Sequence, residues 1–258
     1  MDSRSEAGQA LARARIERRQ LDMLPGGLPE EEATAYGIQA AAIEAFGQPR
    51  CGYKIGATSP EAQAILHTDH PFCAPLFEPD RRSSGATIAE PGYGLLGLEP
   101  EFALRLKHDL PARTEAYEVA EVEAAVASVH PAFEVIGLRL PNELFPNALV
   151  VTADFGANVG FVAGDGIDNW RNHDLPTIAV TAFVDGKQVA SGSAKSVMGH
   201  PLNALQWLIN HLSTAEQGLE AGAWISTGTC AGVVPIAVGQ QAKADFGPFG
   251  EVALRLGA

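Results

Sequence analysis

Between Leu95 and Leu106 the chain reads LLGLEPEFALRL, and its alternation predicts a strand. Leu96, Leu98, Phe102, Leu104 and Leu106 form an apolar parity, while Glu99, Glu101 and Arg105 fall on the other, so the two glutamates share one face. By itself this is a half-buried strand with a wet side. A second stretch, PAFEVIGLRL from Pro131 to Leu140, differs: Glu134 has the same parity as Ala132, Ile136, Leu138 and Leu140. An ionised acid pointing the way apolar residues point is costly unless it is paired or holds a cation. Two carboxylates from one strand and one from another would suit a hard divalent ion with a preference for oxygen ligands. Pro100, lacking an N–H between Glu99 and Glu101, predicts an edge position or a local irregularity.

The rest of the pattern places these strands. Helical spacing runs from about Ser5 to Leu24 and stops at LPGGLP; a second helix starts after Pro29 with Glu30, Glu31 and Glu32, acids that complement a helix N-terminus, and runs to Gly47. Residues 1–49 therefore read as a helical N-terminal region and residues 50–258 as a β-rich domain. In the latter, LVVTADF, NVGFVAG, TIAVTAFVDGKQVASG and EVALRL read as strands, with a hairpin turn at Asp185 and Gly186. Helical patterns recur at EVAEVEAAVASV (118–129) and PLNALQWLINHLST (201–214). Strands with segregated helices give an α+β class rather than a βαβ series.

Composition narrows the function classes. At 258 residues the chain can bury a substantial core. A net charge of -13 argues against a nucleic-acid partner, which needs clustered Lys and Arg. No run approaches the roughly 18 apolar residues of a membrane span, and the N-terminus, mixing acids and bases, does not read as a secretory signal. A cytoplasmic protein is expected. Cys51, Cys73 and Cys230 are too widely spaced for a zinc pair and odd in number, so reduced thiols are expected.

Four stretches could carry chemistry. In GYKIGATS, Lys54 sits between Tyr53 and Ile55; it is either a surface lysine beside a turn or a partly desolvated one with a lowered pKa suited to proton transfer. HTDHPFC gathers His67, Asp69, His70 and Cys73, but Pro71 breaks any helical register and no fourth zinc ligand has the usual spacing, so Asp69 reads as a loop residue reaching into a site. The loop SGSAKSVMGHP leads into a helix and could present N–H groups to a carboxylate. STGTCAG is a tight loop in which Cys230 is a nucleophile or, more simply, a small buried thiol.

Taken in order, AYGIQ (35–39), GYKIGATS, GLEPEFAL, PAFEVIG, ADFGANVGFVAG, GHPLNALQWL and STGTC resemble the motifs of the 2-keto-4-pentenoate hydratase and 4-oxalocrotonate decarboxylase group of the fumarylacetoacetate hydrolase superfamily, over nearly the whole chain. The resemblance implies a mixed β-roll or sandwich with few helices behind a helical lead-in. It implies that Glu99, Glu101 and Glu134 hold Mg²⁺ or Mn²⁺, that Lys54 and Asp69 line the reacting pocket, and that Ser193 and Thr227 lie near the substrate. Phe155, Phe72 and Lys195 stand where relatives often carry Asn, an acid and a small residue. The implied activity is hydration of a 2-hydroxy-2,4-dienoate or 2-oxo-enoate to a 4-hydroxy-2-oxo acid in the catabolism of aromatic compounds, by a homo-oligomer acting on a small 2-oxo acid. Decarboxylation of a 2-oxo-enedioate and acylpyruvate-type C–C hydrolysis are the alternatives, and a non-catalytic binding protein is the competing class.

Overall fold

The structure, a computed structural model, describes residues 2–258. Helices α1 (Ser3–Glu17) and α2 (Glu32–Phe46) come first, followed by β1 (Arg50–Gly56), α3 (Pro60–Leu66), β2 (Phe72–Phe77), β3 (Arg81–Ser83), β4 (Ala86–Ala89) and β5 (Gly94–Leu106). Then come α4 (Val119–Ala125), β6 (Val126–Leu138), α5 (Ala148–Ala153), β7 (Asn158–Ala163), β8 (Ala179–Val184), β9 (Lys187–Ser193), α6 (Pro201–Thr214), β10 (Trp224–Thr229), β11 (Gln241–Asp245) and β12 (Glu251–Gly257). They build a seven-stranded sheet ordered β2-β1-β10-β5-β6-β7-β3 and a five-stranded sheet ordered β4-β12-β11-β8-β9. Both are mixed, with parallel pairs at β1/β10, β3/β7 and β4/β12. No helix among the described residues is long and apolar enough to cross a membrane.

The apolar parity of β5 faces the second sheet. Leu98, Phe102, Leu104 and Leu106 are buried in the main core, where the Phe102 ring meets Phe246 and Phe249 edge-on at 5.0 and 5.1 Å. The other parity is largely covered too. β5 lies inside the sheet between β10 and β6, and Glu101 and Ala103 are fully buried while Glu99 and Arg105 are half-buried. Alternation reported two faces correctly but could not report that the second is covered as well as the first. Pro100 is likewise not on an edge. Its lost N–H is accommodated by a local irregularity: β10 slips register between Ser226 and Thr229, and the Pro100 carbonyl accepts from Cys230 N–H at 2.8 Å.

Three other elements depart from the pattern. LVVTADF forms α5, not a strand. Asn147 caps it by accepting from the N–H groups of Leu149 and Val150, and because the helix is buried nearly all round, no amphipathic period marks it. α3 has no counterpart among the expected helices, although Ser59 caps it by accepting from Ala62 N–H and Pro60 takes its first turn. The pattern at 118–129 is helical only to Ala125; Val126 already belongs to β6.

The α1/α2 pair packs onto the sheet through a second cluster that joins Leu11, Ala14, Ile38 and Ala42 to Phe77, Val150 and Phe155. The two helices touch closely because Gly8 has no side chain: a Cβ there would lie 2.6 Å from both Ala41 Cβ and Ala42 N. Gly8→Val is expected to wedge the pair apart and lower unfolding free energy by about 1–3 kcal/mol, measured by denaturant titration, whereas an unchanged midpoint would mean that the helices are not held at this distance.

Candidate metal centre and active site

Five neighbouring strands aim polar groups at one point on the covered face of the large sheet. Glu99 and Glu134 are directly opposed across β5 and β6, and Glu101 sits two residues further along on the same side. One carboxylate oxygen from each lies within 4.8 Å of the others, separations one hard cation can bridge at about 2.1–2.4 Å per oxygen. From β10, Ser226 Oγ donates to Glu101 Oε2 at 2.5 Å and Gly228 N–H donates to the same atom at 2.9 Å. From β7, Asn158 Nδ2 donates to Glu134 Oε1 at 3.0 Å. From β1, the buried Lys54 ammonium lies 3.3 Å from Glu134 Oε2 and donates to the Gly156 carbonyl at 2.9 Å.

These partners leave a remainder. Glu101 Oε1 is buried with no partner, and Glu134 Oε2 has only the ion pair with Lys54 and no well-aligned hydrogen bond, which native interiors rarely tolerate. Three carboxylates against one ammonium also leave excess negative charge in a low-dielectric place. Burial raises the Glu99 carboxyl against the pull of Lys54. Glu101 is pushed well above the ordinary carboxylate range by burial and then by Glu134 and Glu99. Burial raises Glu134 to about 7, with Lys54 pulling the other way. An orphaned oxygen, excess negative charge and an all-oxygen donor set fit a hard divalent cation.

Lys54 departs from the sequence expectation. Burial does pull its pKa down, but Glu134, Glu99 and Glu101 more than offset this, so the ammonium is held above its ordinary value. Two glycines make the arrangement possible. Gly156 has φ +63°, and a Cβ there would meet Ala74 Cβ at 2.6 Å and Lys54 Cδ at 3.1 Å. Gly228 has φ +108°, and a Cβ would meet Thr58 Oγ1 at 2.0 Å.

Beside the cluster opens a cavity of about 500 Å³, whose lining includes Lys54, Glu99, Gly228 and Thr229. The structure thus brings Lys54, Glu99, Glu101 and Glu134 together. It does not bring in the others. Asp69 is almost wholly exposed, its carboxylate hydrogen-bonded to His70 at 2.6 Å, and it lines a separate surface depression with His67 and Glu32. Thr227 is buried, but its hydroxyl donates to the Phe102 carbonyl, away from the carboxylates. Ser193 does not line the cavity, although Ser191, Gly192 and Ser196 do; its N–H donates to Cys230. Cys230 is buried at the cavity wall, where burial and the charge of Glu101 push its thiol up, so it is no activated nucleophile.

Sequence reading missed Ser226, Gly228, Gly156 and Asn158. Asn158 was hidden by a bulge: the β6/β7 pairing moves from Val135–Gly160 to Ile136–Asn158, skipping Val159, so simple alternation would turn Asn158 away from Glu134. Beyond it, Arg15 of α1 donates to the Asn158 carbonyl at 2.8 Å and to Asp80 at 2.6 Å, and the buried Arg139–Asp154 pair closes the network by a further bond from Arg139 to the same carbonyl.

The chain is 31% identical over 240 residues to the 2-hydroxyhexa-2,4-dienoate hydratase of Comamonas testosteroni, covering 91% of this chain and 90% of that one. It belongs to the 2-keto-4-pentenoate hydratase and 4-oxalocrotonate decarboxylase group. The 2-keto-4-pentenoate hydratase of Burkholderia vietnamiensis is 30% identical over 218 residues, 83% of this chain and 81% of that one. Among solved structures, 4-oxalocrotonate decarboxylase from Pseudomonas putida G7, complexed with magnesium and adipate, superposes with a TM-score of 0.87 at 27% identity, covering 96% of this chain and 97% of that one. Fumarylpyruvate hydrolase from Pseudomonas aeruginosa shares the fumarylacetoacetate hydrolase-like fold at a TM-score of 0.64 and 14% identity, covering 81% of this chain and 90% of that one. No family model matches the chain.

Two outcomes follow from the cluster's electrostatics. Because these carboxyls titrate above the ordinary glutamate range in the folded chain, the folded state holds extra protons, and their contribution to metal-free stability falls as pH rises towards about 7 and beyond. In a chelator at pH 8, Glu101→Gln should therefore melt a few degrees above the unsubstituted protein, a gain of about 1–2 kcal/mol that vanishes at pH 5; a lower melting temperature at pH 8 would contradict the like-charge account. Asn158→Ala should weaken divalent-cation binding about 10- to 100-fold by freeing Glu134, as read by calorimetric titration with Mn²⁺.

Proposed function

We propose that this chain is a divalent-cation-dependent hydratase that converts a 2-hydroxy-2,4-dienoate, by way of its 2-oxo-3-enoate tautomer, to a 4-hydroxy-2-oxo acid. The observation that carries the reading is the Glu99–Glu101–Glu134 cluster, two of its members fully buried and Glu101 Oε1 without a partner, beside a buried lysine that lines a cavity together with Glu99. Mg²⁺ or Mn²⁺ held by the three glutamates would supply Lewis acidity towards the carboxylate and C2 oxygen of a 2-oxo acid.

The protein's own groups do the remainder. Lys54 is anchored by the Gly156 carbonyl and Glu134, which fixes its ammonium beside Glu99 and leaves it charged, a proton donor rather than a free base. The dienoate gains a proton at C5 as its C2 hydroxyl loses one, giving the 2-oxo-3-enoate; water then adds with its oxygen at C4, and Lys54 would deliver the proton to C3, next to the C2 oxygen, and recover the one that the water loses. Ser226 and Gly228 keep Glu101 from turning away, and Asn158 does the same for Glu134. The apolar wall formed by Ile55, Phe72 and Ile136 limits water around the reacting chain. Asp69, at the surface, has no part in this scheme.

Loss of CO₂ from a 2-oxo-enedioate is the second reading, favoured by the likeness to the Pseudomonas putida decarboxylase. Incubation of 2-hydroxypenta-2,4-dienoate and 2-oxohex-3-enedioate with the protein and Mg²⁺, followed by mass analysis, separates them: hydration adds one water and decarboxylation removes one CO₂. The expected result is hydration of the dienoate. Lys54→Met should lower kcat by about 10²–10⁴-fold while the Mg²⁺-induced rise in melting temperature persists. Near-full turnover by this variant would remove Lys54 from the proton transfer.

A further inference from the structure

We infer that the site selects 2-oxo acids with an apolar tail and discriminates against those ending in a second carboxylate, with Glu61 as a determinant of that choice. This deepens the hydratase reading and rests on it for where the 2-oxo end sits. The cavity lining is of two chemical kinds. From the cluster, Lys54 and Glu99 reach it. One face of α3 also lines the wall with Glu61, Ala62, Ile65 and Leu66, residues that the i, i+4 spacing places side by side. Phe145 and Val233 complete this part of the lining.

The charges of the lining are unequal. Among the described residues, Lys54 is the one cation that lines the cavity, and its ammonium is already held by Gly156 and Glu134. Lys195 is exposed and does not line it, although its neighbour Ser196 does. Glu61, itself exposed, brings a further negative charge to the wall. A carboxylate at the end of a substrate tail would lie against the apolar side chains of Ile65, Phe145 and Val233, with no free cation in the lining to meet it and Glu61 nearby to repel it.

An alkyl or aryl tail meets the opposite situation. Ile65 and Val233 are 52% and 39% exposed, unusually open for large aliphatic side chains, and both belong to the cavity lining. A hydrocarbon tail lying against them removes apolar surface of both partners from water. The arrangement therefore favours one kind of tail and penalises the other.

The test uses two unreactive ligands of equal chain length, 2-oxohexanoate and 2-oxoadipate, titrated calorimetrically into the full chain loaded with Mg²⁺. The expected result is at least tenfold tighter binding of 2-oxohexanoate; equal or tighter binding of 2-oxoadipate overturns the inference. In Glu61→Lys the ratio of the two affinities should move at least tenfold towards 2-oxoadipate, and an unchanged ratio overturns the role of Glu61. Binding of neither ligand overturns this inference together with the metal and 2-oxo acid reading beneath it. If the preference holds but neither the dienoate nor the enedioate is turned over, the hydratase reading fails and the selectivity stands.

Discussion

Three glutamates on adjoining interior strands, two of them directly opposed, set the electrostatic problem that the centre of this fold solves. Like charges facing each other across a ladder repel, and the cost rises where water is excluded. The chain answers from every side: Ser226 and Gly228 on Glu101, Asn158 on Glu134, and Lys54 between β1 and the cluster. The answer is incomplete: Glu101 Oε1 has no partner and a single ammonium faces three carboxylates, and that incompleteness points to a cation. A core built for stability alone would place apolar residues at these positions.

The same constraint explains why the N-terminal helices belong to the chemistry. Asn158 must present its amide nitrogen to Glu134, and Arg15, reaching in from α1, fixes the Asn158 carbonyl while pairing with Asp80. Arg139 and Asp154, both fully buried, brace the same backbone. The Arg15 guanidinium also lies over the rings of Phe46, Phe77 and Phe155 at about 5 Å, so one side chain joins α2, β2 and the turn that carries Gly156. Phe155 is therefore part of the scaffold around that turn, and it does not line the cavity.

The cavity lining is of two kinds. Lys54 and Glu99 bring charge and hydrogen bonding that would fix a 2-oxo acid by its polar end. Ile65, Phe145 and Val233 bring apolar surface and Glu61 a further acid, so on the proposed reading a substrate's tail would meet surroundings unlike those of its head. Similarity to both hydratases and decarboxylases is compatible with this lining, since the residues of the carboxylate cluster are not those proposed to meet the tail.

By itself, the sequence determined the alternation of β5, the glutamate parity, the two N-terminal helices, α6 and the β8–β9 turn, because each depends on periods of two or 3.6 residues and on local turn chemistry. The motif order was sufficient to indicate the family. Tertiary structure alone decided that the second face of β5 is largely covered, since burial depends on what lies over a strand. It decided that Val150 and Val151 are helical, because a segment surrounded by core has no polar side to betray its period. It decided that Asn158 and Gly228 reach the glutamates, because each lies beside a register slip that breaks alternation. And it decided that Lys54 stays charged: a lysine's pKa follows from the number of carboxylates around it, and the three that matter here lie 45 or more positions further along the chain.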